Sequence, residues 1–205
     1  MIRGRDAINE EMNKTNMDIL KIDDGSSKLV RFLLSIDDVI CNFEHTEQFG
    51  GKWKTVTCLD KHNKTKGECP LCLAGKNPGF KAYLPVIDRG DENKVKIIKA
   101  SKEMLRQVIG MEDEYGDITA RDFKIARSGQ KLLTKYQFFP KDPKKEDLSG
   151  YDIPDIESRI APQSRESIIA MMDGVGAPQT DDYNEADEGS APPTGGGDKG
   201  KKYPF

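Results

Sequence analysis

The feature that most constrains this chain is a segment with almost nothing apolar in it. Residues 60–79 are built of Lys, Asn, Gly and Pro around two cysteines. Twenty residues without a core of their own need an external reason to be ordered. Cys69-Pro70-Leu71-Cys72 supplies one. Two thiolates three positions apart on a tight turn can grip a single tetrahedral ion. A Cys-x2-Cys pair can also be a redox motif, but that reading needs a neighbouring βαβ unit, and the surrounding pattern offers none.

A structural zinc takes four ligands. Cys41, His45, Cys58 and His62 compete for the two remaining places. Cys41 lies between Val39 and Phe43 in an alternating strand, where a thiol behaves as a small hydrophobe. His62 stands among Lys61, Asn63, Lys64 and Lys66, as a solvated loop histidine would. The set His45, Cys58, Cys69 and Cys72 would tie two strands and the insert to one point. Cys58 with His62 is the local alternative. Either set needs neutral imidazole and thiolates, so binding weakens in acid.

Around the insert the periodicity is that of strands. Residues 29–34 and 39–45 read as a pair joined by Ser35-Ile36-Asp37-Asp38, and residues 52–58 as a third strand. Residues 80–88 and 94–99 form a hairpin turning at 89–93. Ser101 caps a helix bearing Met104, Leu105, Val108, Ile109 and Met111, which ends near Tyr115-Gly116. Residues 122–127 and 132–139 are two further strands, and Pro140 and Pro143 close the body. This order predicts a mainly β fold: a five-stranded oligonucleotide/oligosaccharide-binding (OB) barrel with an inserted zinc subdomain at about 45–80, one helix and an acidic C-terminal tail. The boundaries expected are an N-terminal arm over 1–22, a core over 23–148, and a linker with a largely disordered tail over 149–205.

Charge is unevenly placed. Residues 151–205 hold 5 basic and 11 acidic residues, whereas residues 1–150 hold 27 and 24. Within the body, residues 50–100 and 120–145 each carry a net charge of +6. Aromatics interleave with these lysines and arginines. A basic groove with aromatic faces for stacking is what a single nucleic-acid strand needs. Lys52, Trp53, Lys54, Lys81, Tyr83, Arg121, Lys124, Arg127, Lys135 and Tyr136 are the candidate contacts, while Phe32, Phe43 and Phe138 read as core. No stretch approaches 18 apolar residues, and the N-terminus has no apolar run behind it, so neither a membrane span nor a secretory signal is expected.

His45, Cys58 and Cys69-Pro70-Leu71-Cys72 together resemble the zinc subdomain of phage single-stranded-DNA-binding proteins of the gene-32-like, helix-destabilising type. The segments 80–88 and 115–125, with Arg127 and Gly129, resemble strands flanking the knuckle and helix of that family. The resemblance spans about residues 27–140 and supports His45 over His62. It implies an OB fold and zinc subdomain that form a cleft for single-stranded DNA, and a setting of DNA replication, recombination and repair in the cytoplasm of an infected bacterial host. The final Tyr203-Pro204-Phe205 resembles the Pro-Phe tip by which bacterial single-strand-binding proteins recruit replication and recombination proteins. No Gly-x4-Gly-Lys-Ser/Thr loop, Ser/His/Asp arrangement or paired carboxylate motif is present, so an enzyme and a small-molecule substrate are not expected. The other reading is a zinc-stabilised adaptor that works through protein contacts.

Overall fold

The computed structural model describes residues 17–174. Among the described residues there are seven strands: β1 (Ser27–Phe32), β2 (Ile40–Phe49), β3 (Lys52–Thr57), β4 (Gly79–Asp88), β5 (Lys94–Ala100), β6 (Arg121–Ser128) and β7 (Lys135–Pro143). Five helices accompany them: α1 (Leu59–His62), α2 (Pro70–Leu73), α3 (Lys102–Tyr115), α4 (Ile156–Arg159) and α5 (Arg165–Met172). None is long and apolar enough to cross a membrane among the described residues.

All the strands pair antiparallel in the order β3-β2-β4-β1-β6-β7, with β5 on the other edge of β4. β4 is the hub. Residues 79–83 pair with β2 and residues 86–88 with β1, while β5 runs beside 82–88. Such a strand is covered on both faces, and Ala82 through Asp88 are all buried. Its sequence accordingly reads as a continuous apolar run rather than an alternation.

The expected five-stranded closed barrel differs from this arrangement. There are seven strands, and no pairing joins β3 to β7 among the described residues, so the sheet is open. The expected strands at 39–45 and 52–58 form a hairpin, β2–β3, that lies at one end of the sheet. Pro140 and Pro143 lie inside β7 rather than beyond it, and a proline has no N–H to offer a further strand.

The main core lies on one face of the sheet. Val30, Phe32, Leu84, Val86, Phe123, Ile125 and Phe138 meet Met104 and Val108 of α3 there. Phe32 and Phe123 pack edge to face, 5.3 Å between centroids. The Ser101 hydroxyl caps α3 by accepting the Met104 N–H at 3.2 Å. At one rim Arg31, 1% exposed, donates to Asp122 at 2.6 Å and to the carbonyls of Thr119 and Lys144. Arg89 bridges the same Asp122 to Glu146.

Both expected boundaries move. Residues 17–22, assigned to the arm, pair with β5 through Ile19 and Ile97, and Ile22 is buried in the core. Residues 149–174, assigned to the linker, fold back on the body: Ile156 packs with Tyr83 and Ile97 on the second face of the sheet, and Ile168 and Met171 pack on the cysteine insert. These short helices lacked a long enough apolar period to stand out in the sequence.

Candidate metal centre and nucleic-acid face

β2 and β3 bring His45 and Cys58 together, because His45 stands opposite Val56 and Cys58 follows the end of β3. The Cys58 N–H continues the pairing by donating to the Phe43 carbonyl at 2.8 Å. Cys69 and Cys72 arrive on a turn built locally. Pro70 starts α2, where its missing N–H costs nothing. The Asp60 carboxylate accepts N–H bonds from Gly67, Glu68 and Cys69 at 3.2, 2.9 and 2.7 Å. The Cys69 N–H is the largest cause holding Asp60 below its usual range. Asp60 thus clamps the segment whose order needed an external reason, and no signal in the sequence marked it.

The four side-chain donors converge, with all ligand atoms within 4.8 Å of one another. His45 Nε2 lies 3.4 Å from Cys69 Sγ and 3.5 Å from Cys72 Sγ, and Cys58 Sγ lies 3.5 Å from Cys72 Sγ. A tetrahedral ion with metal–sulfur bonds of about 2.3 Å spaces its donors by roughly 3.5–3.8 Å. The match is close, and the sulfur separation is far beyond a disulfide bond of about 2 Å.

The electrostatics make the same demand. Burial pushes the Cys58 thiol up, and burial, Cys58 and the neighbouring sulfurs push Cys72 up to about 12. Burial also opposes ionisation of Cys69, but backbone N–H groups of Cys72, Leu59 and Leu71 outweigh it and bring that thiol below its usual value. Burial lowers His45, which keeps its imidazole neutral. Three packed sulfurs beside a neutral imidazole are a ligand set that a divalent cation would stabilise in thiolate form. His45 Nδ1 is buried without a hydrogen-bond partner. The competing ligands stand apart: His62 is exposed, and Cys41, expected in the core, is also exposed.

The predicted nucleic-acid contacts do not share one face. Residues opposite each other in an antiparallel ladder lie on the same face, and alternate residues switch. Lys52 opposes Phe49 and Lys54 opposes Glu47, on the His45 side. Trp53, 53% exposed, opposes Gln48 on the reverse side. Lys81 is half-buried opposite Asn42. Tyr83 is 2% exposed, enclosed by Met17, Ile97 and Ile156, so its ring is a core element and not a platform. Tyr136 is half-buried against the core, opposite Arg127, which donates to the Ile22 carbonyl at 2.9 Å. Arg121 donates to the Tyr115 carbonyl at 2.8 Å and lies over the Tyr115 ring. Lys124 and Lys135 are exposed, Lys124 in a cross-strand row between Leu29 and Phe139. Tyr203, Pro204 and Phe205 lie outside the described residues.

One surface emerged that the sequence reading placed in the core. Phe43 is 37% exposed and packs edge to face on Phe80, 5.6 Å between centroids. Lys61 Nζ stands 5.5 Å over the Phe43 ring. Phe80 touches the main core, whereas Lys61 belongs to α1 beside the candidate metal ligands. The aromatic pair therefore lies where the sheet meets the cysteine insert. Comparison of the sequence with protein-family models and with curated proteins gives no match.

Proposed function

We propose that the chain is a sequence-independent single-stranded-DNA-binding protein of the gene-32-like phage type, with a structural zinc and an OB-type platform. In this reading it coats and protects single-stranded DNA in replication, recombination and repair. The observation that carries the proposal is Phe43, 37% exposed beside the half-buried Phe80 and with Lys61 over one side of its ring, at the junction of sheet and cysteine insert. Bases stack on such rings, and each stacked base contributes about 1–3 kcal/mol. Lys52 and Lys54, on the same side of the β2–β3 hairpin, would meet phosphates. Zinc is the ion chosen because three sulfurs and one imidazole at tetrahedral spacing match its structural sites. With all four positions filled by protein, no place remains for the water that a catalytic zinc activates, so the proposed role is binding without chemistry.

The test is anisotropy of a labelled oligothymidylate against the matching duplex over a range of salt. Tight binding of the single strand alone, with log K falling by about 0.7 per phosphate contacted for each unit of log salt, is the expected result. Equal binding of duplex, or no binding, would overturn it. The adaptor reading draws on the second face of the sheet, where Leu29 and Phe139 are exposed at a distance from the metal centre. Absence of DNA binding would leave that reading standing.

A further inference from the structure

The metal ligands account for one side of the centre; the other side is closed by a segment far along the chain. After β7 the backbone returns along the second face of the sheet, where Ile156 of α4 is buried beside Tyr83. The Thr57 hydroxyl, one residue before Cys58, donates to the Ile160 carbonyl at 2.6 Å. Four residues later Ser164 caps α5 by accepting the Ser167 N–H at 3.1 Å. α5 then places Ile168, 0% exposed, and Met171, 5% exposed, against Cys58, Cys69, Leu71 and Phe49. The chain has crossed the free edge of β3 and laid a helix on the ligands.

We infer that residues 156–172 are a strap that retains the metal, with Ile168 and Met171 as its latch. The inference rests on the reading of the cluster as a metal centre. α5 turns Ile168 and Met171 fully inward, with Ile169 and Ala170 half-buried beside them. Its Arg165, Glu166 and Ser167 are exposed. An eight-residue helix with one face in solvent opens locally far more often than the core unfolds. While it is shut, a competing chelator cannot reach Cys58 or Cys69, both 0% exposed. Cys72 alone is half-exposed, so release of the other two thiolates, and with it exchange of the ion, waits on strap opening. Linkage makes the effect mutual: whatever the strap does to metal affinity, the metal does to strap docking. Loss of the ion would free the strap and, with it, the point from which the acidic segment beyond residue 174 departs.

Two measurements on the full chain test this. The first follows release of Zn2+ to a colorimetric chelator. The I168S/M171S variant should release the ion at least about tenfold faster than the wild type, since truncating two buried latch residues removes more than the free energy that a factor of ten requires. The exposed-side variant E166A should match the wild type. The second follows tryptic cleavage after Arg165, which should be slow with Zn2+ bound and fast after chelation, while the β1–β6 amides keep their hydrogen-exchange protection. Wild-type release rates in I168S/M171S, or cleavage at Arg165 that ignores the ion, would overturn the strap. If the double variant does not fold, the wild-type proteolysis still decides. A wild-type chain that takes up no Zn2+ would sink the metal reading itself, a distinct result.

Discussion

Replacing Phe43 with alanine separates stacking from structure. Phe43 is 37% exposed, so truncation forfeits only part of a phenylalanine's burial, about 1–2 kcal/mol, plus the edge contact with Phe80. A domain stable by roughly 5–15 kcal/mol survives that loss folded. Binding should suffer more visibly. Loss of one stacked base at about 1–3 kcal/mol weakens a short oligonucleotide by a factor of about 5 to 150. Phe139 is the matched control. It is 46% exposed on the opposite face of the sheet, and its alanine variant should cost similar stability and leave the affinity for a short oligonucleotide unchanged. Anisotropy titration at fixed salt, beside urea denaturation of each variant, reads both quantities. Equal affinity losses in F43A and F139A would refute the assignment of one face. So would a fully active F43A.

Other consequences are direct. Cys72→Ser should abolish stoichiometric Zn2+ binding and expose the remaining thiols to a colorimetric thiol reagent, while the exposed His62→Ala should change neither. Arg31→Met should cost about 1–3 kcal/mol in urea denaturation, because it removes a buried cation from Asp122, which keeps Arg89, and leaves the Thr119 and Lys144 carbonyls without that donor; a loss under about 0.5 kcal/mol would show that the rim network is idle. Burial opposes ionisation of Asp122, yet Arg31 and Arg89 hold it below its usual value, and Arg89 does the same for Glu146. Carboxylates depressed in the folded chain stabilise it fully above their unfolded pKa of about 4, and that stability fades as pH falls through the folded values. Stability of the wild type should therefore drop below about pH 4, and D122N should show a shallower acid limb in the same titration. Gly129→Ala should destabilise the β6–β7 turn by roughly 1–3 kcal/mol, since φ is +83° and a Cβ would sit 2.4 Å from the Leu133 carbonyl oxygen.

Much of this protein was legible in its amino-acid order because the signals concerned are local. Apolar runs and alternation between turn signals placed all seven strands, and Ser101 with its apolar stripe placed α3. The segment 60–79 pointed to a candidate metal centre by lacking any other means of order, and the two competing ligands were set aside from their neighbours together with the family resemblance, although Cys41 was left out for the wrong reason. It is exposed rather than core. Only the tertiary structure decided which aromatics meet solvent. Phe43 and Tyr83 both sit in the middle of strands, yet one lies where β2 leaves the core and the other beneath α4 and Met17. Trp53 stands between two lysines in sequence and opposite to both in space, because successive strand residues face opposite ways. The strap was equally hidden. Ile156, Ile168 and Met171 are too few and too short-ranged to show a period, and they are buried only because distant strands and the cysteine insert offer surfaces that match them. Burial is a property of the assembled sheet, and no window along the chain contains it.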